Sequence, residues 1–104
     1  MEKVKRSDAE RVSEALMIWE GPIPSLRHDG QRALAACFGA QAAAELLPIV
    51  SGLHDDFFAS DARDRAANLQ EMGDLAIADF RRQHPEITDE ALQVLANHYA
   101  FAFK

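Results

Sequence analysis

A chain of 104 residues with 48% apolar side chains and a formal charge of −6 fits one domain and can bury roughly 65% of the surface it exposes when unfolded, so neither disulfide nor structural metal is required. Its single cysteine, Cys37, excludes an intramolecular disulfide and every multi-cysteine zinc motif, reads as a small buried hydrophobe and fits a reducing compartment. No basic cluster exceeds Lys3, Lys5 and Arg6 or the pair Arg81 and Arg82, which argues against a phosphate backbone as partner.

The segment Met1 to Asp8 is charged and lacks an apolar core, and no uninterrupted apolar run is long enough to span a bilayer. A cytoplasmic location, no membrane partner and no nucleic-acid partner are the expectations. Residues 1–6 read as a disordered tail. Ser7-Asp8-Ala9-Glu10 has the form of a capping box, and Val12, Leu16 and Trp19 follow at helical spacing, predicting a first helix from about Ser7 to Trp19. Gly21-Pro22-Ile23-Pro24 breaks it, because two prolines one residue apart impose extended backbone and remove two donors.

Ser25 is the expected cap of a second helix with Leu26, Gly30, Ala33 and Cys37 on its buried face, Leu34 and Phe38 flanking and Gly39 as the stop. From Ala40 the positions Ala43, Leu46, Leu47, Val50, His54 and Phe57 keep helical spacing through Pro48. Either one helix kinks there or a second starts with that proline in its first turn. Asp61 to Gln83 reads as the longest helix. It carries Ala62, Ala66, Leu69, Gly73, Ala76, Ile77 and Phe80 on one stripe, acids at its start, Arg81 and Arg82 at its end and Pro85 beyond. Asp61 and Arg65 stand one turn apart as an ion pair.

The last helix, Ile87 to Lys104, is the most legible. Thr88 is a good N-cap, Asp89 and Glu90 suit the positive end of the helix dipole, and Ile87 can staple onto Leu92. Leu92, Leu95, Ala96, Tyr99 and Phe103 share a stripe, with Phe101 on the opposite side. The C-terminal aromatics either fold back onto the body or form a partner-binding edge. The fold class is therefore all-α, a single-domain antiparallel bundle of about five short helices covering residues 1–104.

The best candidate for chemistry is His28-Asp29 with His54-Asp55-Asp56, where imidazoles and carboxylates on adjacent helices could hold a divalent metal. The order His, His-Asp and then a later aspartate such as Asp74 or Asp79 is loosely similar to metal-dependent phosphohydrolases of the HD superfamily. That resemblance implies a metal held by His28, His54 and Asp55 that activates water. His54 also lies on the apolar stripe with Val50 and Phe57, and a core histidine bonded to a neighbour is the simpler account. Ser13, Ser25, Ser51 and Ser60 lack a nucleophile elbow, and the five glycines are dispersed and make no phosphate loop.

Asp55, Asp56, Asp61 and Asp64 cluster around the turn before the long helix, beside Phe57 and Phe58. An exposed turn of this kind presents carboxylates with an apolar anchor to a basic partner. The alternative is a solvated turn with both phenylalanines buried. The reading taken is a small acidic protein, without a cofactor, that binds another protein, with inhibitor, immunity-protein or adaptor as concrete roles. The binding residues named are Asp55, Asp56, Phe57, Phe58, Asp61, Asp64, Tyr99 and Phe101. A metal-dependent hydrolase and a homodimer are the alternatives.

Overall fold

The computed structural model describes residues 4–21, 23–24 and 28–103, with side chains from Ala9 onward within those segments. The helices are α1 (Val4–Glu20), α2 (Gly30–Phe38), α3 (Ala40–Phe58), the single turn α4 (Ala62–Arg65), α5 (Leu69–Gln83) and α6 (Asp89–Phe103). The protein is all-α. Among the described residues there is no strand, and no helix is long and apolar enough to cross a membrane.

α1 starts three residues before the expected Ser7, inside the segment read as a tail, while the side chains of Ser7 and Asp8 lie outside the described residues. It buries Ser13, Ala15 and Leu16 and stops at Gly21, whose φ of 89° favours glycine. The predicted cap Ser25 and apolar residue Leu26 lie outside the described residues. α2 begins later, with the Asp29 carboxylate accepting from the Arg32 N–H at 3.0 Å.

Cys37 is exposed rather than buried. α2 turns Leu34 and Phe38 toward the core, because larger apolar side chains gain more from leaving water than Ala33 or Cys37. Gly39, again at φ 89°, joins two helices with one residue: its N–H donates to Ala35 O at 2.9 Å and its carbonyl accepts from Ala43 N at 2.9 Å. The path through Pro48 is a single helix, with Pro48 on the exposed side and Ala43, Leu46, Val50, Leu53 and Phe57 buried opposite.

The continuous helix expected from Asp61 to Gln83 is broken at Ala66–Asn68. Asn68 Oδ1 accepts from Glu71 N at 2.8 Å, and the Glu71 carboxylate reaches back to Ala67 N at 2.6 Å. This capping arrangement satisfies the start of α5 and outweighs the apolar stripe that runs across the break. α6 follows its expected course. Thr88 Oγ1 accepts from Ala91 N at 3.3 Å, and Ile87 and Leu92 are both buried. α6 closes on α1 through Thr88 N to Ser13 Oγ at 3.0 Å. Phe57, Phe80 and Tyr99 meet at the centre of one core, with ring centroids 5.3 Å (Phe57 to Phe80) and 5.8 Å (Phe57 to Tyr99) apart.

Candidate functional site

The end of α3, the α3–α4 turn and the end of α6 form one corner. Tyr99 pins it: the phenol donates to Ser60 O at 2.7 Å and accepts from Arg63 N at 3.1 Å. Two residues expected to meet a partner cannot do so. Phe57 and Tyr99 are fully buried, because both fall on core-facing stripes, Phe57 with Leu46, Val50 and Leu53 and Tyr99 with Leu92, Leu95 and Ala96. Phe58 is half-buried, stacked on His54 at 4.2 Å and 6.1 Å from Phe103.

Phe101 and Phe103 remain 42% and 38% exposed. Phe103, which sequence reasoning left out of the site, lies 4.8 Å from Tyr99 and carries the Arg63 guanidinium 4.5 Å above its ring. The four aspartates are all exposed. Asp61 pairs with Arg65 Nε at 2.8 Å and Asp56 with His84 Nε2 at 3.0 Å. Asp55 and Asp64 make no side-chain hydrogen bond or ion pair among the described residues.

Behind the corner lies a polar hub that holds its shape. Asp79 of α5 accepts from Ser60 Oγ at 2.7 Å, Arg65 Nη2 at 2.5 Å and Arg82 Nη2 at 2.6 Å. The Ser60 hydroxyl, opposed by partial desolvation and helped by Arg82 and Arg65, holds the Asp79 carboxyl below its ordinary range. Asp56, Asp61, Arg65, Asp79 and Arg82 line the open hollow above it. With both arginines already committed to Asp79, the hub reads as a clamp on the turn.

On the other side of Phe58 is a cleft of about 740 Å³ lined by Trp19, Glu20, His28, Asp29, Gly30, Gln31 and His54. Gly30 lets α2 approach α1, since a Cβ there would stand 2.3 Å from Trp19 O. His54 Nδ1 bonds the Glu20 carboxylate at 2.5 Å, with the Glu20 side chain 4% exposed and that of His54 28% exposed. His54 is thus the neighbour-bonded histidine expected, though at the cleft wall rather than deep in the core. His28 Nε2 bonds Ile18 O at 2.7 Å.

His28 and His54 therefore share a cleft, but Asp55 does not line it. Among the described residues no group of three or more His, Cys, Asp or Glu is placed to hold a metal ion. The trio His28, His54 and Asp55 is not assembled, because each imidazole turns a nitrogen to a partner on α1 and Asp55 faces solvent. Neither family models, curated proteins nor solved structures match this chain.

Proposed function

We propose that this chain works by binding another protein, a basic one, at the corner where α3, α4 and α6 meet. The observation that supports this most is the packing of Phe103 beside Phe58 at 6.1 Å, which joins the acidic turn and the C-terminal aromatics, widely separated in sequence, into one surface. Exposed aromatic area near a turn rich in carboxylates suits a hot spot: the rings give up water on binding, and the charges steer a cationic partner and fix its register. Asp55 and Asp64, having no side-chain partner among the described residues, lose no bond seen there when a lysine or arginine reaches them. Inhibitor, immunity-protein and adaptor roles all use such a surface, and a cytoplasmic setting suits the lone exposed thiol of Cys37.

The test is capture of partners by the tagged chain at low and high salt, repeated with Phe103→Ala and with Asp55→Asn plus Asp64→Asn. A basic partner lost at high salt and in both variants supports the reading. A partner retained equally by all variants places binding elsewhere.

A further inference from the structure

We infer that the hollow between α1 and α3 beside Ile49 is a self-docking face, on which a second copy of this chain seats about a two-fold axis. Arg11, Val12, Glu45, Leu46 and Ile49 line this hollow of about 220 Å³. Ile49 is 46% exposed. The buried side of α3 is taken by Ala43, Leu46, Val50, Leu53 and Phe57, which leaves an isoleucine at the edge of that stripe in water. Val12 is half-buried against the core and Leu46 is part of it, so the hollow has an apolar floor beneath an apolar rim.

The charges choose the occupant. Arg11 on α1 and Glu45 on α3, one turn before Ile49, are both exposed and border the same hollow. Among the described residues neither has an ion pair, and the Arg11 guanidinium stands over the Phe38 ring, 5.8 Å from its centroid. A two-fold interface sets a patch against itself, so a charged patch fits only if it carries both signs. This one does: Arg11 of each copy meets Glu45 of the other, while Ile49 of each covers Val12 of the other. Leu69 is the contrast. It is 49% exposed, but the one charged residue lining its hollow is Asp74, and self-pairing there would oppose like charges in a chain already at −6. The face beside Ile49 shares no residue with the acidic corner, and either surface works without the other.

Sedimentation equilibrium of the full chain from about 10 μM to about 1 mM is expected to show a monomer–dimer equilibrium with its dissociation constant inside that range, as suits a contact of modest size. Arg11→Glu and Glu45→Arg, both at exposed positions, should each weaken association at least about tenfold, because each sets like charges together at both contacts. An equimolar mixture of the two variants should recover it, since every contact then joins opposite charges again. A chain carrying both substitutions should recover it as well, and Ile49→Ser should weaken it with no change of charge. Circular dichroism establishes that the variants are folded; should a single variant not fold, the doubly substituted chain decides. A wild-type chain that stays monomeric at about 1 mM, a dimer that neither single substitution weakens, or a mixture of folded variants that does not associate overturns the inference.

Discussion

The phenol of Tyr99 shows how much one atom can hold. Its ring fills the core and its hydroxyl joins the α3–α4 turn to α6 by donating to Ser60 O and accepting from Arg63 N. Tyr99→Phe keeps the ring and strands two backbone groups, and it should cost about 1–3 kcal/mol in urea unfolding with little change in far-ultraviolet dichroism. Asp79 gives a prediction in pH. Its folded-state pKa lies below the ordinary aspartate value, so its contribution is fully present above the unfolded value and is lost as pH falls through the folded one. Ser60→Ala removes the largest cause of that shift and should flatten the acid limb of stability below about pH 4, measured by denaturant midpoints from pH 2 to 6. None of these partners could be read from the sequence, since Ser60 and Tyr99 lie 39 residues apart and Glu20 and His54 lie 34 apart. The exposure of the acidic turn was legible, because its aspartates are close in the chain and carboxylates stay in water unless buried partners compensate them. The separation of Phe57 from Phe58 was also within reach, since Phe57 continues the spacing of Leu46, Val50 and Leu53.

Among the helices, α6 and the stop at Gly39 were legible because a cap, a staple and a glycine stop act over a few residues. The break before α5 was missed because Ala62, Ala66, Leu69 and Gly73 keep helical spacing across it. The competing signal was Asn68 three residues before Glu71, a capping box hidden inside an apolar stripe. Two glycines make opposite predictions about their helices. A Cβ at Gly52, exposed within α3, meets nothing within 4 Å, so Gly52→Ala should stabilise the protein by about 0.5–1 kcal/mol. A Cβ at Gly30 would collide with Trp19 O at 2.3 Å, so Gly30→Ala should push α2 from α1 and cost more than about 2 kcal/mol. Thermal midpoints of the two variants should move in opposite directions; movement in the same direction would contradict the close approach of α2 to α1.

At the scale of the molecule, one aromatic path runs from Trp19 through His54 and Phe58 to Phe103, with neighbouring centroids 5.3, 4.2 and 6.1 Å apart. These ring contacts link the wall of the cleft beside Trp19 to the corner at Phe103. The first and last helices are also fastened to each other. Thr88 bonds Ser13 and His98 Nε2 bonds Gly21 O at 2.8 Å, contacts 75 and 77 residues apart. These long loops must close before either bond forms, and their closure entropy is paid late in folding. Amide protection in α1 and α6 should therefore arise in the same kinetic phase under pulsed hydrogen exchange, while α2 and α3, joined through one glycine, can dock earlier. On the ribosome the consequence is a wait: α1 emerges before α6, yet its Ser13 finds Thr88 only when the start of α6 has left the exit tunnel.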